Sequence, residues 1–169
     1  MLLSNELVFQ TDDEKYGMKI RKKFINQILA HCQNASPNET GGIMVGYYSD
    51  NLKWAIVTDI TGPTVDSILK RCFFYRGLKG LQKFLNSKWK RKKHYYLGEW
   101  HFHPFSLPIP SHIDNMQMRN FANNRLLRCP EPILIILGGD PAGEWKIKAY
   151  VFIKKIKKEL KILDACQGK

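Results

Sequence analysis

Two imidazoles, a hydroxyl and a carboxylate stand close together in the tract Trp100-His101-Phe102-His103-Pro104 and, after a proline-rich loop, Ser111-His112-Ile113-Asp114. His101 and His103 are separated by one residue. On a strand such residues point to the same face, so both imidazoles could reach one ion. Tyr95 to Trp100 is aromatic, apolar and free of proline, and predicts that strand. Pro104, which has no N–H to give to a sheet, is expected to end the pairing, and Pro108 and Pro110 stiffen the loop. Ser111 is a good helix N-cap with Asp114 at N3, opening a helix from Ser111 to Asn124 whose apolar residues are Ile113, Met116, Met118 and Phe121. A strand end thus carries His101 and His103 and a helix start carries Asp114. Two histidines and a carboxylate, with room for water, are the ligand set of a catalytic zinc ion. Ser-x-x-Asp alone is a capping pattern, and His-x-His alone is common in cores and on surfaces. The two together seldom arise for structural reasons only.

Hydrolysis at such a site needs a proton carrier as well. Glu99 shares strand parity with His101 and His103, one pleat further from the metal. Glu39, followed by Gly41-Gly42, is a second candidate, and spacing alone does not decide between them. His112 follows the cap and should point outward. His94 is expected at the surface, and His31, near a helix end, suits a structural role.

His101-x-His103-Pro104-x6-Ser111-x2-Asp114, with Glu39-Thr40-Gly41-Gly42 upstream, resembles the signature of the JAMM (MPN+) metalloprotease family. The tract Gly98-Glu99-Trp100-His101-Phe102-His103-Pro104 is most similar to small bacterial JAMM proteins, including the deconjugating peptidases of CBASS-type anti-phage operons. The resemblance extends over nearly the whole chain. It implies zinc held by His101, His103 and Asp114, Glu39 as general acid and base, and Ser111 as the group that holds the oxyanion or orients the water. It also implies cleavage of the amide or isopeptide bond that joins a protein C-terminus to an amine. The conjugated protein would be a ubiquitin-like protein or a nucleotide cyclase of the CD-NTase type. Phe102 departs from the family pattern, where a small hydroxyl residue is common. It points away from the histidines and should affect packing more than metal binding.

The elements that must position these residues follow from hydrophobic period. Leu7-Val8-Phe9 is a short strand. Met18 to Asn34 is helical, with Ile20, Phe24 and Ile28 at i, i+4 and i+8. Gly41 to Tyr48 is a buried strand that forms a hairpin with Lys53–Ile60. Ser67–Arg76 reads as a strand and Gly77 to Lys88 as a helix. The continuous apolar run Ile133 to Leu137 fits a central strand covered on both faces, and Glu144–Ile153 alternates as a half-exposed strand. Ile156, Leu160 and Leu163 predict a terminal amphipathic helix. The fold class is α/β: one domain spanning residues 1–169, a mixed sheet flanked by helices.

The chain of 169 residues is long enough for one sizeable core, and 44% hydrophobic content argues against disorder. No apolar run reaches the roughly 18 residues of a membrane span, and Met1 to Glu6 lacks the regions of a signal peptide. Cys32, Cys72, Cys129 and Cys166 form no Cys-x-x-Cys pair, so reduced thiols in a cytoplasm are expected. The net charge is +12, with basic residues bunched in Lys19–Lys23, Lys88–Lys93 and Lys154–Lys161. Such runs are usually solvated faces. The competing function class is therefore a non-catalytic basic module that docks nucleic acid or an acidic protein.

Overall fold

The computed structural model describes residues 5–163. Met1 to Ser4 and Cys166 lie outside them. In chain order the elements are β1 (Glu6–Gln10), β2 (Gly17–Arg21), α1 (Lys22–Ala35), β3 (Thr40–Tyr48), β4 (Trp54–Ile60), β5 (Ile68–Lys70), β6 (Phe73–Tyr75), α2 (Leu81–Lys92), β7 (Tyr95–Pro104), α3 (His112–Asn123), β8 (Ile133–Gly139), β9 (Trp145–Ile153) and β10 (Ile156–Ile162).

The α/β class and the mixed sheet are present, but the sheet does not lie open between helical layers. It closes as a barrel in the order β1-β10-β9-β8-β7-β3-β4-β2, with β5 and β6 forming a separate hairpin. Closure comes from two strands whose sequences carry helical spacing. Met18–Arg21 is strand, not the start of the helix: β2 pairs in parallel with β4 and antiparallel with β1, and α1 begins only at Lys22. The expected terminal helix is β10, which turns back on β9 and also joins β1. Both corrections have one cause. A short segment with apolar residues at i and i+4 also satisfies a period of two, and long-range pairing decides between them.

The barrel core takes Phe9, Met18, Ile20, Trp100, Phe102, Ile135, Leu137, Val151 and Leu160 together with Phe24, Ile25 and Ile28 of α1. On the other face, α2 and α3 cover β3 and β7 through Ile43, Val45, Leu81 and Tyr96, and α3 covers β8 and β9 through Met118, Leu134, Ile136 and Phe152. β8 is the buried central strand that its unbroken apolar run predicts: it pairs in parallel with β7 and antiparallel with β9.

β7 sets up the site. A register shift opposite Met44 and Val45 skips Leu97, so Leu97 and Trp100 both face the core. Gly98, at φ +150°, makes this possible: a Cβ there would lie 1.8 Å from the Ile133 carbonyl oxygen. Beyond this bulge, Trp100 and Phe102 point inward, and Glu99, His101 and His103 point outward. Pro104 does not end the pairing. The β7–β8 ladder runs on through Pro104 opposite Gly139, whereas β3 has already parted from β7 after Phe102. A proline is tolerated there because only one of its neighbours is still a strand.

Candidate metal centre

His101, His103 and Asp114 come together at the C-terminal end of β7 and the first turn of α3. Each offers one ligand atom, and the three atoms lie within 4.8 Å of one another. Asp114 is the hinge of the cluster. Its Oδ1 is 2.7 Å from His101 Nδ1, and its Oδ2 is 3.4 Å from His103 Nε2.

A capping box places that carboxylate. The Ser111 N–H donates to Asp114 Oδ2 at 2.7 Å, and the Asp114 N–H donates to Ser111 Oγ at 3.1 Å. The cap that the sequence predicts and the carboxylate that would bind metal are therefore one device. Ser111 Oγ accepts the bond from the Asp114 N–H, and Ser111 itself is exposed at the rim of the cluster. Asp114 is buried, which alone would raise its pKa, but the bonds from His101, His103 and Ser111 outweigh burial and hold the carboxyl well below the usual range.

His101 lies between two carboxylates. Its second ring nitrogen, Nε2, is 3.1 Å from Glu99 Oε2. Burial acts to lower its pKa, but the bonds to Asp114 and Glu99 prevail and raise it to about 9. Each ring nitrogen thus faces a carboxylate oxygen. A divalent cation shared with Asp114 would displace the proton on the Nδ1 side, and the donor set of two imidazoles and one carboxylate suits such a cation.

Glu39 stands one residue before β3. The antiparallel ladder pairs Thr40 with Phe102 and Gly41 with His101, so Glu39 sits at the His103 end of β7. Its backbone N–H donates to the Lys70 carbonyl of the β5–β6 hairpin at 2.8 Å. Burial pushes its carboxyl up, while the charges of His103, Asp114 and His101 also reach it. Gly41 beside it is required by close approach: a Cβ would come 2.6 Å from the Trp100 carbonyl oxygen, 2.7 Å from the Phe74 ring and 2.9 Å from His101 Cδ2.

Glu99 points toward the histidines as strand parity predicts, but it is fully buried. Its Oε1 takes Nε and Nη2 of Arg76 at 3.0 and 2.9 Å and the Tyr96 hydroxyl at 3.4 Å; its Oε2 takes His101 and, at 3.3 Å, Gln117. A carboxylate so occupied has no oxygen left for a water proton. Arg76 and Gln117 were not among the residues the sequence singles out. Gln117 lies three residues after Asp114 on the same helix face, which is a usable signal. Arg76 gives none, because its contact depends on how the hairpin folds back.

The other histidines divide as follows. His112 is exposed, as expected. His31 is structural, stacked on Trp100 at 5.8 Å. His94 is not a simple surface residue: it is half-buried, bonded to the Thr58 hydroxyl at 2.9 Å and stacked on Tyr47 at 5.1 Å. Among the described residues Cys32, Cys72 and Cys129 are free thiols, and no helix is long and apolar enough to cross a membrane.

The fold is that of a JAB-type domain. Residues 21–150 match the family of prokaryotic homologs of the JAB domain, and the chain belongs to that family. It is 40% identical over 146 residues to the CD-NTase/cGAS isopeptidase of Enterobacter hormaechei subsp. hoffmannii, covering 86% of this chain and 81% of the relative. It is 29% identical to the protein of the same name from Vibrio cholerae serotype O1, over 82% of this chain and 86% of the relative. A protein of Sinorhizobium fredii named "Probable metalloprotease y4qB" is 28% identical over 78% of this chain and 81% of its own length. In fold, the chain is similar to the solution structure of protein DSY2949 from Desulfitobacterium hafniense, at a TM-score of 0.57 and 21% identity, covering 84% of this chain and 88% of that one. These relatives support a hydrolase that uses a metal and breaks a protein conjugate.

Proposed function

We propose that this chain, as a single catalytic domain, is a zinc-dependent metalloisopeptidase of the bacterial cytoplasm. It cleaves the amide or isopeptide bond between the C-terminus of a conjugated protein and the amine of its target. The isopeptidase relatives favour a CD-NTase-type nucleotide cyclase as the conjugated protein, with a ubiquitin-like protein as the alternative, in anti-phage defence. The observation that carries the reading is the cluster of His101, His103 and Asp114 with Glu39 at the adjoining strand end. Phe105, Leu107 and Ile109 of the loop before α3, with Ile113 and Met116 on its first turns, are exposed beside that cluster. Several exposed apolar side chains on the segment that joins His103 to Asp114 and on the first turns of α3 suit a protein substrate.

His101, His103 and Asp114 would hold the zinc. When bound, it supplies Lewis acidity: it lowers the pKa of a water toward about 7 and polarises the scissile carbonyl. Glu39 takes the proton of the attacking water. As the C–N bond breaks, it gives that proton to the leaving amine, so one carboxyl group serves in turn as base and acid. The products are a protein with a free C-terminal carboxylate and the free amine. Ser111, anchored by its bond from the Asp114 N–H, donates a hydrogen bond from its hydroxyl to the oxyanion of the tetrahedral intermediate. Ser111→Ala is expected to cut kcat about 10²–10³-fold, as for other single oxyanion donors, and to cost about 1 kcal/mol of stability through the lost cap. Turnover and thermal melting of the variant check both.

The reading is tested by incubating the zinc-loaded protein with a conjugate of the cyclase C-terminal segment on a lysine amine, and with a ubiquitin-like conjugate. Release of the free C-terminus from either by mass spectrometry supports it, and cleavage of neither overturns it.

A second reading has its own observation. A cavity of about 580 Å³ has Arg21, Lys23, Lys88, Arg91 and Lys92 in its lining against the carboxylates of Glu6 and Asp59, the latter paired with Lys88, and none of the metal cluster belongs to it. If nucleic acid docks there, binding should weaken linearly on a log–log salt plot and survive Glu39→Ala.

A further inference from the structure

The site holds a carboxylate that the proposed reaction does not use. We propose that Glu99 is a positioning residue that fixes the ring orientation and tautomer of His101, and that Arg76 holds Glu99 in place, so that the β5–β6 hairpin contributes to metal affinity without touching the metal. The inference rests on the metal-centre reading above.

The geometry assigns each atom one task. His101 Nδ1 faces Asp114 at 2.7 Å, and Nε2 faces Glu99 at 3.1 Å. A carboxylate only accepts, so the nitrogen toward Glu99 must keep its proton. The nitrogen toward Asp114 is then the one a shared cation can take. A histidine ligand whose second nitrogen is bound in this way is fixed in tautomer and made more basic.

Glu99 could not do this unaided, because a lone buried carboxylate is strongly disfavoured. Arg76 answers that charge with two donors, and Gln117 and Tyr96 complete the cage. Arg76 follows β6 directly. The same hairpin lays the Phe74 ring edge-on to His101, at 5.7 Å between centroids and 76° between planes, and receives the Glu39 N–H on the Lys70 carbonyl. Three separate contacts thus tie one small hairpin to the metal cluster and to Glu39.

The test measures zinc affinity by competition with a chromophoric chelator, and the visible spectrum of the cobalt(II)-loaded protein, which reports ligand geometry. Glu99→Ala is expected to weaken zinc binding by about 10–100-fold, the range for lost outer ligand partners, and to shift the cobalt bands. Glu99→Gln keeps a neutral acceptor for His101 and should recover part of the affinity. Arg76→Met, which touches no ligand, should weaken binding in the same direction. Glu99→Ala leaves the largely covered Arg76 without its partner and could unfold. The double variant Arg76→Met with Glu99→Leu removes both charges together, a change that buried ion pairs often tolerate. Folded, it should show the same weakened affinity and shifted bands. Folded variants that bind zinc as the wild type does, with unshifted cobalt bands, overturn the inference while leaving the metal centre intact. A wild type that takes up neither metal overturns the metal-centre reading itself.

Discussion

His103→Ala and Asp114→Asn should each remove zinc from the purified protein, taking it from about one ion per chain to near none. Turnover should vanish with it. The two variants fail for different reasons. His103→Ala deletes one donor and leaves the His101–Asp114 pair in place. Asp114→Asn keeps the side-chain length and an oxygen that can still accept the Ser111 N–H, so the α3 cap survives. It removes the charge that faces both imidazoles at once. A metal-binding carboxylate is therefore separated from a capping carboxylate by one substitution. Elemental analysis reads the metal. Thermal melting supplies a check: zinc at 100 times its Kd adds about 2.7 kcal/mol of stability, which the wild type should gain and both variants should not. Asp114→Asn with full zinc content would reduce Asp114 to a helix cap.

Glu39→Gln should give the opposite pattern, with zinc retained and turnover lost. Glu39 lies outside the cluster of His101, His103 and Asp114, and its backbone is held by the Lys70 carbonyl, so the amide variant leaves the site's frame alone. What disappears is the proton carrier. General acid–base catalysis is worth about 10²–10⁴-fold for one transfer, and Glu39 is asked to make two. The expected kcat is therefore reduced by at least about 10³-fold with little change in KM. A Glu39→Gln protein that keeps full activity would remove it from the mechanism. Glu99 is a poor replacement, because both of its oxygens are already engaged.

The cluster of His101, His103 and Asp114 is legible in the sequence because it is local. One strand end and the first turn of the next helix supply His101, His103 and Asp114, and strand parity with helix capping determines where each points. Phe102 facing the core and β8 as the buried central strand follow from equally local patterns. What escapes the sequence depends on distant pairing. The Ile153–Ile156 turn contains Lys154 and Lys155 with no glycine or asparagine, although Lys154 adopts φ 54°, so the hairpin that makes β10 gives no turn signal. Ile156, Leu160 and Leu163 fit a helical stripe, yet β10 ends at Ile162 and only Leu160 of the three is buried. Likewise, Glu99 could be placed on the correct face by parity, but its burial against Arg76 could not, because that contact forms only after the β5–β6 hairpin folds over β3 and β7.

The most direct test of the whole account is metal add-back. Wild-type protein stripped with a chelator is mixed with a lysine-linked conjugate of the cyclase C-terminal segment, and zinc is titrated in while free C-terminus is counted. The account predicts no cleavage without metal and a rise that breaks at about one zinc per chain. Cleavage by the stripped protein at the restored rate, or a zinc-loaded and folded protein that releases nothing, would contradict it.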